Sequence, residues 1–158
     1  MTLDDVFADW AVTSHISNEQ AIAILNDFRM EALIYIRSHP NREFAKALLE
    51  NVVLARKNEV FDLGITENLM YAAYLLTMHA HIEDALHIWR AKTVDFDTYC
   101  GFDVELIVFA GYAETLDYLK QESSEEALEA AAYILACGEP YFDNLDQYFS
   151  KDQLPWWI

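Results

Sequence analysis

Glycine and proline are scarce in this sequence, with four Gly and three Pro in 158 residues. Long stretches are therefore free of chain breakers, and apolar residues recur at helical rather than alternating spacing, which argues against strands. The two cysteines, Cys100 and Cys137, are too few and too isolated for a disulfide framework or a zinc site. They are expected as reduced, half-buried thiols. No stretch approaches the roughly 18 apolar residues of a membrane span. The most apolar run, Val104 to Ala110, is interrupted or bracketed by Asp103, Glu105 and Glu114. Met1-Thr2-Leu3-Asp4-Asp5 lacks the basic region of a secretory signal, so a soluble cytoplasmic protein is expected. Basic residues are also few: 10 Lys and Arg against 27 Asp and Glu, a net charge of -17. Such a balance excludes nucleic acid and anionic membrane as partners and favours a basic one.

The acid is unevenly placed. Residues 1–64 hold six bases and ten acids, whereas residues 65–158 hold four bases and seventeen acids. The acids are interleaved with a 54% hydrophobic composition, so they belong to a folded surface and not to a solvated tail. The length suits a single domain over residues 1–158, large enough to bury about two-thirds of its unfolded surface.

The fold class that follows is all-α, with stacked antiparallel helical hairpins of eight to nine helices. Thr2 opens a first helix carrying Leu3, Val6, Phe7 and Trp10 on one side. Ser17-Asn18-Glu19-Gln20 is a capping box. Its helix places Ile22, Leu25, Phe28, Met30, Leu33 and Ile36 at helical spacing and ends near Ser38, ahead of Pro40. A third helix spans about Asn41 to Val60, with Phe44, Leu48, Val52 and Ala55 inward, and Gly64 as terminator. Thr66 opens the next, to about His79, and another runs on through Trp89; no Gly or Pro marks a break between Met78 and His81. Val94 to Phe102 reads as an ordered loop, with Gly101 at positive φ and Phe96, Tyr99 and Phe102 as anchors. Asp103 caps a short apolar helix ending at Gly111, and Tyr112 to Gln121 follows. Ser123-Ser124 cap a helix to Cys137, closed by Gly138 and Pro140, and Tyr141 to Phe149 is the last. The tail, Leu154-Pro155-Trp156-Trp157-Ile158, is apolar enough to dock on the body. Similar strings at His81–Ala85 and Tyr112–Leu116 hint at repetition at an offset near that of helical-hairpin repeats.

Few residues state a chemistry. His79, Glu83 and His87 would share one face of a continuous helix and could bind zinc, with His81 close by. The zinc-enzyme string His-Glu-x-x-His is absent, and surface histidines are the expected reading. Asp95, Asp97 and Asp103 sit at positions 1, 3 and 9 of a calcium-loop pattern, but Tyr99 and Cys100 occupy the places that need an acid or amide and a glycine. No positive charge or signature marks Cys100 as a nucleophile. Phosphate loops, dinucleotide fingerprints and Ser-His-Asp signatures are missing, so no cofactor and no metal are expected, and an enzyme is the weaker reading. What remains is a binding loop of exposed aromatics ringed by acids. Asp95, Asp97, Tyr99, Asp103 and Glu105 are the leading candidates for partner contact.

Ile88-Trp89-Arg90-Ala91-Lys92, Phe96-Asp97-Thr98-Tyr99-Cys100-Gly101-Phe102-Asp103, Ala110-Gly111 and Glu114-Thr115-Leu116-Asp117-Tyr118-Leu119 together resemble small acidic helical bacterial proteins of the immunity type, found in polymorphic or contact-dependent toxin systems. The resemblance covers about 35 residues. It implies a cytoplasmic protein that binds a cognate, basic toxin domain and covers its active site, with no catalytic residue of its own. Two alternatives stand beside it: a helical-repeat adaptor or secretion chaperone holding a peptide, and a metal-dependent enzyme on the His79–His87 segment. The oligomeric state is left open, since the apolar tail suits a second copy as well as its own body.

Overall fold

Thr2 starts the first helix with a reciprocal cap: its hydroxyl accepts from the Asp5 N–H, and the Asp5 carboxylate accepts from the Thr2 N–H. The computed structural model describes residues 1–60 and 62–158, and every regular element among them is helical. In chain order they are α1 (Leu3–Thr13), α2 (Asn18–Ile22), α3 (Arg29–Ser38), α4 (Arg42–Lys57), α5 (Thr66–Thr77), α6 (Asp84–Lys92), α7 (Phe96–Gly101), α8 (Tyr112–Glu122), α9 (Glu125–Cys137) and α10 (Leu145–Tyr148). The all-α expectation holds, and no helix among the described residues is long and apolar enough to cross a membrane.

Helix α5 forms the centre. Every residue from Asn68 to Thr77 is buried, the mark of a helix covered on all sides. Against it pack α4, which turns Phe44, Leu48, Val52 and Ala55 inward as expected, and α6 with Ala85, Ile88 and Trp89. Two ion pairs fix the direction of these helices. Arg42 at the start of α4 binds Asp84 at the start of α6, and Arg56 near the end of α4 binds Asp95 just past the end of α6. Helices α4 and α6 therefore run parallel, with α5 antiparallel between them. The α8–α9 hairpin, turned by Ser123 in left-handed geometry and capped by Ser124, packs onto α6.

Several local expectations change. The helix begun by the Ser17 capping box does not run unbroken to Ser38. It passes through a π-helical stretch, Ala23–Asp27, and bends at Phe28. The Arg29 side chain accounts for this: its Nε donates to the Leu25 carbonyl at 2.8 Å, and its guanidinium also reaches Trp157 O and Asn68 Oδ1. Val94 to Phe102 is not a loop, since it contains α7, and Gly101 lies within that helix without a positive φ. Asp103 caps no helix; Val104–Leu106 is a single 3-10 turn, after which Ile107 and Val108 are fully buried. Gly64 is required by close approach, because a Cβ there would lie 2.6 Å from Arg56 Cα. In place of one last helix there are a 3-10 turn, Glu139–Phe142, and the short α10. The tail docks through Trp157, which is 3% exposed, while Trp156 beside it is 81% exposed.

Candidate protein-binding surface

Asp95 begins the segment that the sequence singles out. Its carboxylate accepts from the Thr98 N–H at 2.8 Å and so caps α7. The same carboxylate takes two bonds from Arg56, through Nε at 2.5 Å and Nη2 at 3.2 Å. These charge-assisted bonds hold its pKa down at about 2. The other end of α7 is held by Lys92. Its ammonium, buried to 1% exposure, donates to the carbonyls of Tyr99 and Phe102, both at 2.6 Å. It faces the rings of Tyr99 at 5.2 Å and Tyr133 at 5.0 Å. Desolvation lowers its pKa, and no carboxylate pairs with it among the described residues. A cap at one end and a lysine on the last carbonyls at the other make a helix of a stretch with little helical patterning.

Asp103 is an internal acceptor. Its Oδ2 receives the Tyr148 hydroxyl at 2.9 Å and Trp157 Nε1 at 3.2 Å, which pins the C-terminal segment to the core. Burial and that carboxylate raise the Tyr148 pKa. Glu105 is half-buried, and burial raises its pKa as well. Tyr99 stands edge-on to Tyr133 at 5.3 Å between ring centroids. Of the four carboxylates among the five, only Asp97 is exposed with no ion pair or capping role among the described residues; Tyr99 is 37% exposed, and Phe96 beside Asp97 is 78% exposed. The structure thus does not gather the five into one exposed patch.

The histidine segment does not form a metal site. Helix α5 stops at Thr77, Ala80 turns the chain with φ of 55°, and α6 starts at Asp84, so His79, Glu83 and His87 share no helix face. His81 lies 3.3 Å from Glu83, His87 lies 4.0 Å from Asp84, and no group of three or more potential ligands occurs among the described residues. Cys100 is exposed and Cys137 is half-buried, with burial pushing the Cys137 thiol up.

Exposed acid is concentrated elsewhere. Of the seventeen acids after Gly64, Glu83, Asp84, Asp95 and Glu126 have a basic partner; the other thirteen have none among the described residues. Nine of these thirteen are exposed on the stretch from α8 to the C-terminus: Glu114, Asp117 and Glu122, then Glu125, Glu129 and Glu139, then Asp143, Asp146 and Asp152. Helix α9 adds an apolar stripe to this acid. Ala127, Ala130, Ala131 and Ile134 face inward, while Leu128 at 52% exposure, Ala132 and Leu135 at 49% line the outer side at helical spacing. Sequence reasoning missed this face because α9 is apolar nearly all round, and periodicity does not say which side is covered. The available signal was the excess of apolar positions on a helix that also carries Glu125, Glu126 and Glu129.

A second surface of different character lies between α4 and α6. It is an open groove of about 630 Å³ with Leu49, Val53, Leu54 and Val94 along it and Lys46, Lys57, His87 and Arg90 at its sides. The chain matches no protein-family model, and no curated protein or solved structure is significantly similar to it.

Proposed function

We propose that this chain is a stoichiometric binding protein of the immunity type, which neutralises a cognate basic toxin domain by covering its active site. The observation that carries the reading is the unpaired acid of α8, α9 and the C-terminal segment, together with the exposed Leu128–Leu135 stripe that α9 carries alongside Glu125 and Glu129. Acid without internal partners steers a basic protein in and supplies a fast, salt-sensitive on-rate. The apolar stripe on α9 supplies the desolvated contact that holds the complex. A toxin that acts on a polyanion presents a basic cleft, and this surface would take the substrate's electrostatic place there. Contacts are accordingly assigned to Glu125, Glu129, Leu128 and Leu135, with Asp97 and Phe96 as an outlying pair. Co-expression with the product of the neighbouring open reading frame tests the proposal. Restored growth and a one-to-one complex whose association slows with salt are expected; unrelieved toxicity or no complex would remove it.

The α4–α6 groove favours a second reading, an adaptor that lays a helical peptide between two helices. The two readings separate by mutation. Leu54→Asp with Lys57→Glu abolishes binding by an adaptor and leaves an immunity complex intact.

A further inference from the structure

We propose that the cavity where the ends of α3 and α5 meet the C-terminal segment binds a small carboxylate with a short apolar or aromatic body. The cavity measures about 280 Å³, and Ile36, Met78, Phe109 and Phe149 supply its apolar wall. Its polar lining is Arg37, Lys151, Tyr74, Thr77 and His79, without one acid, on a chain whose net charge is -17. Arg37 and Lys151 form no ion pair among the described residues, unlike Arg42, Arg56 and Arg90.

Two further polar side chains line it, and one of them has a buried nitrogen without a partner among the described residues. Tyr74, 2% exposed as a residue, lines the cavity and brings a phenol to it. His79 Nε2 is buried and unpaired, while Nδ1 lies 3.3 Å from the Leu76 carbonyl. Buried polar groups are ordinarily satisfied, so an imidazole nitrogen left open at a cavity that also holds two cations unpaired among the described residues points to an occupant that bonds to it.

Two helix C-termini also end here, and their partial negative charge opposes an anion. Their carbonyls are already engaged, however. Ser38 Oγ donates to Ile34 O and Tyr35 O, Thr77 Oγ1 donates to Tyr74 O, and the His79 N–H donates to Leu76 O. Two full positive charges outweigh two partial charges of about half a unit each. A single negative charge suits the site better than a phosphate dianion, which the acidic molecule repels more strongly. The apolar wall sets the rest of the ligand. This site is independent of the protein-binding surface on α9.

Titration of the full chain with phenylacetate and with hexanoate, followed by amide chemical shifts, tests the proposal. 2-Phenylethanol serves as the uncharged counterpart and inorganic phosphate as the bare anion. Saturable shifts around Arg37, Thr77, His79 and Lys151 are expected with either carboxylate at concentrations up to about 10 mM. Arg37→Gln with Lys151→Gln weakens binding about tenfold or more, and Tyr74→Phe, which removes one hydroxyl from a buried ring, weakens it about threefold or more. The proposal is overturned if neither carboxylate saturates, if 2-phenylethanol binds equally well, if phosphate binds more tightly than both, or if Tyr74→Phe and the double variant bind as the parent does.

Discussion

Asp84, Asp95 and Asp103 on one side and the unpaired carboxylates of α8 and α9 on the other carry the same formal charge and do opposite things. Asp84 is fully buried against Arg42, Asp95 caps α7 while holding Arg56, and Asp103 receives Tyr148 and Trp157. Each joins segments far apart in the chain, and each already has its donors. Glu114, Asp117, Glu122, Glu125 and Glu129 have no basic partner among the described residues and face solvent. Net charge therefore does not locate a binding surface; the charge that remains after internal pairing does. An inner carboxylate should be expensive to remove and nearly irrelevant to a partner, and an outer one the reverse.

The largest effect is expected at the Arg42–Asp84 pair. Arg42→Ala leaves Asp84 buried without its two bonds, and loss of one partner from a buried pair costs about 3 kcal/mol. Urea denaturation measures it; a loss as small as a surface ion pair's would mean that Asp84 is solvated. Asp103→Ala comes next. It orphans the Tyr148 hydroxyl and Trp157 Nε1, a cost of about 2 kcal/mol. It should also free the C-terminal segment, so amide exchange there rises while that of α5 stays slow. Exchange that rises equally in both would break the distinction between a pinned tail and the core.

How far the sequence reveals these differences depends on how local their causes are. The reciprocal caps at Thr2 and Ser17 and the cap at Ser124 act over three residues, so their patterns are readable directly. The inward face of α4 is readable for the same reason. Helix α7 is hidden, because its last carbonyls are satisfied by Lys92, a side chain of another helix. The π-helical turn depends on Arg29, whose guanidinium is placed by Trp157 at the far end of the chain. Asp103 looks like a helix cap or a loop acid until its donors, 45 and 54 residues away, come into place. Of the candidate contacts, only Asp97 keeps the free carboxylate that the sequence implies, and α9 supplies the surface that periodicity leaves ambiguous.

The outer acids should show the reverse balance. Glu125→Lys with Glu129→Lys is expected to change stability by within about 0.5 kcal/mol, as surface substitutions do. The same change should slow association with a basic partner by about tenfold at low salt. Stopped-flow association across a salt series measures it. Equal slowing from Asp103→Asn, whose carboxylate is turned inward, would collapse the contrast between inner and outer acids.

The smallest effect tests the contrast at its edge, where Asp95 is both paired and partly exposed. Its folded-state pKa of about 2 lies below the ordinary value of 3.8, so the folded state favours the ionised form. Its contribution is thus fully present above the unfolded pKa and is lost as pH falls from about 4 toward about 2. Its side chain is 39% exposed, so solvent and salt screen the pair, and the stability at stake is below about 1 kcal/mol. Asp95→Asn should flatten the acid limb of the stability curve by that amount in low salt and by less in high salt. Asp97→Asn, two residues along in the first turn of α7 and without an ion pair among the described residues, should leave the limb unchanged. If both substitutions flatten it alike, the effect comes from net charge and not from the Arg56 bond, and Asp95 belongs with the outer acids.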